Sequence, residues 1–266
     1  MKDITIIIPI HKLDDETEKL LKKSVESVKL NREYYKNGEL KVLYVVSEDV
    51  SKEKIENLID NSTILVNDGK TDFCSQINFA VDHVDTEFFS ILEFDDEYNK
   101  KWFKMANEYH LSNEDVSVFL PINVQFDQEM THWAYGNEMV LASSFSNEIG
   151  MIDFECLENC FTFNLTGGIF NTEDFKNVGK FKPSIKVAFN YEFLLRATNK
   201  TLKVMVVPKE GYKHMIARKG SLTEEYNKEL DNEEMGKYFE LAKKEYEYTE
   251  DRNKKISKNA KTEVLK

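Results

Sequence analysis

Phe88-Phe89-Ser90-Ile91-Leu92-Glu93-Phe94-Asp95-Asp96 decides how the 266-residue chain is read: an apolar run of strand length that ends abruptly in three carboxylates. A run without polar alternation belongs to a strand buried on both faces, as in parallel sheets. Carboxylates clustered at its end repel one another, and a hard divalent cation, Mg²⁺ or Mn²⁺, is the usual way to offset that repulsion. The same residues also suit an acidic turn ahead of a helix over 99–109, with Asp96 near its N-cap.

Outward from this run the chain alternates. Residues 3–10 form another continuous apolar, β-branched run, followed by a helical pattern carried by Leu13, Leu20, Leu21, Val25 and Val28, with Asp14, Asp15 and Glu16 at its start. Strands are expected over 40–46, 62–66 and 88–94, and helices over 52–59 and 73–84. Such alternation predicts an α/β fold, a Rossmann-like, mostly parallel sheet flanked by helices. In such sheets ligands bind beyond the carboxyl ends of the strands, here residues 9–11, 47–49, 67–70 and 93–97. Three of these four segments are acidic, and no glycine-rich phosphate loop follows the first strand, so a cation-bridged phosphate is expected in place of a bare phosphate cradle. Beyond residue 102 the pattern weakens into a strand over 116–121 and an aromatic, polar stretch over 123–146. A helix near Asn190, a strand over 202–207 and a charged helical extension from 223 complete the expectation.

The bulk numbers fit one large domain. Apolar residues make up 41%, charged residues 32% and aromatic residues 12%, which argues for a folded, soluble chain. The net charge of −12 disfavours polyanionic partners. The N-terminal apolar run is far short of the roughly 20 residues that span a bilayer, so no membrane segment is expected. Cys74, Cys156 and Cys160 lack the spacing of a zinc or redox pair; free thiols in a cytoplasmic setting are the expectation. Lys254, Lys255, Lys258 and Lys261 read as a solvated tail.

Several stretches, in order, resemble family 2-like glycosyltransferases with the GT-A fold. Ile6-Ile7-Ile8-Pro9-Ile10-His11 and Leu21-Lys22-Lys23-Ser24-Val25-Glu26-Ser27-Val28 are similar to that family's opening. Gln76-Ile77-Asn78-Phe79-Ala80-Val81 is similar to the helix before its Asp-x-Asp strand, and Glu93-Phe94-Asp95 occupies the Asp-x-Asp position. Leu165-Thr166-Gly167-Gly168-Ile169-Phe170 resembles its acceptor-side segment, Asn190-Tyr191-Glu192 its base-bearing helix, and Tyr212-Lys213-His214 its late loop. The resemblance spans residues 3 to about 222. It implies a transferase domain over 1–222, with a nucleotide-sugar half (1–98) and an acceptor half (99–222), and an extension over 223–266. It further implies a nucleoside-diphosphate sugar held by Pro9, Ile10, His11, Ser47, Asn78, Glu93, Phe94 and Asp95. Mn²⁺ or Mg²⁺ would sit on Asp95 and Glu93 with His214 as a further ligand, and Gly167 and Gly168 on the acceptor side. Lone His214 also suits an ordinary surface position.

Three departures bear on chemistry. Ser47-Glu48 stands where acidic residues usually read the base, Glu93 replaces the first Asp, and Phe189-Asn190 places an amide where an inverting enzyme keeps its general base. Glu192 lies roughly 200° further round the helix; Asp153 and Glu155 are other candidates for the base. The expectation is a metal-dependent, inverting glycosyltransferase, the alternative a non-catalytic sugar-nucleotide or glycan-binding module. The acceptor stays open among glycan, protein, small molecule and a modified DNA base, with Phe126, Trp133, Tyr135 and Phe145 available to stack on sugar rings or to fill the core.

Overall fold

The computed structural model describes residues 1–67, 69, 72–142 and 148–245. Phe145, the loop end at Lys70 and the four tail lysines lie outside the described residues. The apolar runs become β1 (Ile4–Ile10), β2 (Leu40–Ser47), β3 (Ser62–Asn67) and β4 (Phe88–Ile91), all mutually parallel in the order β3-β2-β1-β4. Side chains alternate between two cores. Ile7, Leu43 and Ile91 pack on one face, and Ile6, Ile8, Val42 and Tyr44 on the other, which is why these strands read as unbroken apolar sequence.

The sheet continues through β9 (Ile169–Asn171), β6 (Val116–Phe126), β10 (Lys203–Met215) and β5 (Glu97–Tyr98). Here it is mixed. β9 runs antiparallel between β4 and β6, whereas β6 and β10 are parallel. β7 (His132–Gly136) extends β6 as a hairpin, and β8 (Met151–Ile152) pairs with β10. One sheet therefore spans both expected halves.

Helices cover both faces: α1 (Asp15–Tyr34), α2 (Phe73–Val81), α3 (Trp102–His110), α4 (Phe154–Asn159), α5 (Thr172–Val178) and α6 (Phe189–Asn199), then α7 (Leu222–Glu229) and α8 (Asn232–Glu245). Asp14 begins α1 with a reciprocal cap, accepting from the Thr17 amide at 3.0 Å while the Thr17 hydroxyl accepts from the Asp14 amide. The helix expected over 52–59 is only a 3-10 turn, Lys52–Lys54, whose Ser51 side chain caps nothing; within that stretch only Ile55 and Ile59 are buried. The strand expected over 88–94 ends at Ile91, because the chain then turns, with the Asp96 amide donating to the Glu93 carbonyl at 3.0 Å. Helix α3 starts at Trp102, so Asp96 is not its cap. Among the described residues no helix is long and apolar enough to cross a membrane.

Candidate active site

The acidic turn is fastened from beneath by α1. The Ser24 hydroxyl lies 2.8 Å from the Phe94 carbonyl and 2.5 Å from the Asp96 carbonyl, sharing one proton between them. Ser27 accepts from the Tyr98 amide at 3.0 Å, and Asn31 donates to the Asn99 carbonyl at 3.0 Å. Positions 24, 27 and 31 share one helix face, so a polar stripe on α1 fixes where the carboxylates point. On the other side the Tyr212 hydroxyl accepts from the Glu93 amide at 3.1 Å.

Gly167 and Gly168 support this turn and do not enter either cavity of the site. The Gly167 amide donates to the Ile91 carbonyl at 2.8 Å, and its own carbonyl accepts from the Trp102 indole at 2.8 Å. Gly167 has φ +77°, and a Cβ there would lie 2.4 Å from the Tyr212 ring; at Gly168 it would lie 2.7 Å from Leu120. Their neighbours Asn164 and Thr166 line the larger of the two cavities.

Asp96, which the sequence reading left out of the ligand set, is the residue that organises the turn. It is 2% exposed; its carboxylate accepts from His214 Nδ1 at 2.9 Å and from the Met215 amide at 2.7 Å. His214 is thus a partner of the acidic turn and not a surface residue. Burial alone would pull the imidazole pKa down, but the charge and hydrogen bond of Asp96, with Glu93 and Asp95, raise it to about 9. Burial, then Asp96 and Asp95, push the Glu93 carboxyl up to about 8. Asp95 also sits above the usual carboxylate range, through burial and Asp96, against the pull of Arg218. The turn thus pairs Asp95 with Arg218 and Asp96 with His214, and the upward shifts of His214 and Glu93 favour the protonated form of each at neutral pH.

Glu93, Asp96 and His214 each offer a ligand atom within 4.8 Å of the others. Two carboxylates and an imidazole suit a hard or borderline divalent cation such as Mn²⁺, so the donor set fits the expected ion. Asp95, the expected principal ligand, is engaged elsewhere: its Oδ2 accepts from Arg218 Nε at 2.5 Å.

Two cavities meet at this turn. One, of about 130 Å³, is lined by Pro9, His11, Phe94, Asp95, Gln76 and Arg218 among others. The other, of about 370 Å³, is lined by Asp72, Asn164, Thr166, Lys186 and Asn190, with the rings of Phe73, Phe189, Tyr226 and Phe239. Glu93, His214, Phe73 and Leu222 line both. Helices α7 and α8 close the second cavity through Tyr226, Met235 and Phe239, so a boundary at 222/223 cuts through α7 and separates residues that share a cavity.

Other expected contacts fall outside. Ile10 is fully buried in the core, and Ser47, 3% exposed with no partner for its hydroxyl among the described residues, lies off both cavities. Asn78 is occupied with the Phe181 backbone, donating to its carbonyl at 2.8 Å and accepting from its amide at 3.0 Å. Glu192 is fully buried; its carboxylate accepts from Arg196 Nε at 2.9 Å and Nη2 at 2.8 Å, with the Lys182 ammonium 3.1 Å away. It is a structural ion pair, unavailable as a base. Asp153 caps α4 through the Cys156 amide, and Glu155 lies in that helix. Trp133 and Tyr135 sit exposed on the β6–β7 hairpin, away from the larger cavity. Asn190 does reach that cavity, and its buried Oδ1 has no hydrogen-bond partner among the described residues. Asp72, Asp96 and Arg218 were missed; the adjacency of Asp95 and Asp96 and the basic residue four positions after His214 were the available signals.

The model of the family Glycosyl transferase family 2 matches residues 5–171, more than half of the chain. No curated protein sequence matches. Among solved structures, S. aureus TarS 1-349 in complex with UDP-GlcNAc superposes with a TM-score of 0.63 at 17% identity, over 91% of this chain and 65% of that one. TarS 1-349 in complex with UDP gives 0.60 at 19% identity, over 81% and 61%. S. aureus TarS itself gives 0.61 at 18% identity, over 95% and 45%. The chain spans less than two thirds of the length of each. At this identity the likeness is one of fold, and the fold is GT-A.

Proposed function

The chain belongs to glycosyl transferase family 2, and from that membership we propose that it transfers a sugar, with inversion, from a uridine-diphosphate sugar to an acceptor hydroxyl. The meeting of the two cavities at Glu93 and His214 carries this reading, because a displacement needs donor and acceptor on either side of one point. UDP and UDP-GlcNAc in the TarS complexes support the choice of donor. The smaller crevice, beyond the ends of β1 and β4, receives the diphosphate, and the larger cavity the acceptor. Held by Glu93, Asp96 and His214, a divalent cation would supply Lewis-acid stabilisation of the leaving diphosphate.

The acceptor hydroxyl must lose its proton as it attacks. Asn190 cannot take it, but its unpartnered amide oxygen accepts a hydrogen bond from that hydroxyl and orients it. Apart from the acidic turn, Asp72 is the carboxylate in this cavity, held in place by the Ser75 amide at 2.9 Å, and we assign it the proton. The transferase unit runs from residue 1 through α8, because Tyr226, Met235 and Phe239 line its larger cavity. Buried, unpaired Cys74, Cys156 and Cys160 support a reducing, cytoplasmic setting.

Asn190 also favours a second reading, a sugar-nucleotide-binding module without turnover. Incubation of the protein with UDP-sugars and Mn²⁺, followed by assay of released UDP, separates the two. Slow release that is lost in Asp72→Asn supports transfer; tight binding with no release supports the module and refutes transfer.

A further inference from the structure

We propose that Arg218 is a diphosphate-binding residue held in reserve on Asp95, and that a nucleoside diphosphate draws it off, so that donor and divalent cation bind interdependently. This inference rests on the donor reading above.

The pair is well shielded from water: the side chains of Arg218 and Asp95 are 7% and 9% exposed, and Nε lies 2.5 Å from Oδ2. The guanidinium carbon also stands 5.1 Å from the centre of the Phe94 ring, which in turn packs on His11 at 5.5 Å. A buried, ring-stacked guanidinium on a carboxylate is a firm contact. It is also a contact that a phosphate can replace, because a guanidinium binds both anions through the same fork of N–H groups.

Space gives an independent argument. The crevice of about 130 Å³ is well below the roughly 300–1,000 Å³ of small-molecule sites. Arg218 is part of its wall, so movement of that side chain enlarges the crevice for a diphosphate. The backbone is built to let it. Arg218 lies on a short span between two anchors, the Met215 amide on Asp96 and the Ser221 side chain capping α7 at the Glu224 amide. Between them Ala217 and Gly220 both have positive φ, +54° and +76°, and for alanine that conformation is strained. Rearrangement of those two residues would swing Arg218 at the cost of the Ser221 amide to Arg218 carbonyl bond, 3.2 Å, and the Gly220 amide to Glu224 carboxylate bond, 2.5 Å.

While Arg218 holds Asp95, a cation arriving alone meets a carboxylate already neutralised. Once the diphosphate takes Arg218, Asp95 is released to face the cation beside Glu93. Each ligand thereby removes an obstacle to the other, and the coupling must be reciprocal.

The test is direct binding of Mn²⁺, followed by the spin-resonance signal of the free ion, to the wild-type chain and to Arg218→Met, with and without UDP. In the wild type UDP tightens Mn²⁺ at least tenfold. Arg218→Met binds Mn²⁺ alone at least tenfold more tightly than the wild type, UDP then adds less than threefold, and UDP itself binds at least tenfold more weakly at saturating Mn²⁺. Arg218→Lys, which keeps the charge and loses the fork, gives intermediate values and serves if Arg218→Met does not fold. An unchanged Mn²⁺ affinity in folded variants that still bind UDP overturns the proposal and leaves the donor reading standing. A wild-type chain that binds no UDP with or without Mn²⁺ removes both.

Discussion

Glu192→Ala should cost stability and spare chemistry. Glu192 is fully buried and takes two hydrogen bonds from Arg196, itself 5% exposed, so the substitution strands a guanidinium in the core. Breaking a buried ion pair from one side costs about 3–5 kcal/mol. Arg196 keeps the carbonyls of Val178, at 2.8 Å, and Lys180, at 2.6 Å, which places the loss near about 3 kcal/mol. With an unfolding entropy of about 2 cal/mol/K per residue, a chain of this length unfolds with about 0.6 kcal/mol/K, so Tm falls by about 5 °C. Calorimetry gives the shift, and UDP release per folded molecule below the transition gives the activity, expected within about threefold of the wild type. Glu192→Leu with Arg196→Met, which removes both charges, should recover part of the loss. An unchanged Tm together with loss of turnover by orders of magnitude would refute this reasoning and restore Glu192 as the base.

Further outcomes follow from the site. In EDTA, Glu93→Gln should gain stability relative to the wild type as pH rises from 6.5 to 8. Wild-type Glu93 keeps its proton up to about 8 when folded and loses it near 4.5 when unfolded, so its contribution fades across that window, by up to about 1.4 kcal/mol per pH unit. His214, raised from 6.5 to about 9, adds a loss of the same sign between those values in both proteins; a Tm difference independent of pH contradicts the burial of Glu93. Gly167→Ala, strained at φ +77° and driven against Tyr212, should destabilise by about 3 kcal/mol in a denaturant titration, whereas Gly236→Ala, with open space around it inside α8, should not destabilise. Asn190→Asp places a carboxylate in the larger cavity, and donor hydrolysis at pH 8 should rise severalfold; a fall of tenfold or more contradicts the role proposed for the Asn190 amide.

Strands β1 to β4 were legible because burial on both faces leaves few polar residues to confuse the pattern, as in β1 and β2. Later strands were harder to read. β9 is three residues long, and β10 extends past Val207 through Lys209, Glu210 and Lys213, whose polarity hides a strand at the sheet's irregular end. The acidic turn announced itself, but which of Asp95 and Asp96 joins Glu93 and His214 depends on a turn geometry set by Ser24 and Met215, far away in sequence. Glu192 misled in a way the sequence could have corrected, since Arg196 stands four residues on, the spacing of a helical ion pair. Asp72 and the rings of Tyr226 and Phe239 reach the larger cavity only through tertiary packing, and no local pattern marks them.

Thermal unfolding of the purified chain with UDP, with and without Mn²⁺, tests the central claim most directly. UDP and Mn²⁺ together, at about 100 times the dissociation constant, should add about 2.7 kcal/mol and raise Tm by about 5 °C, with a much smaller shift from UDP in EDTA. No shift with UDP and Mn²⁺, or the same shift in EDTA, contradicts a cation-bridged diphosphate at Glu93, Asp96 and His214.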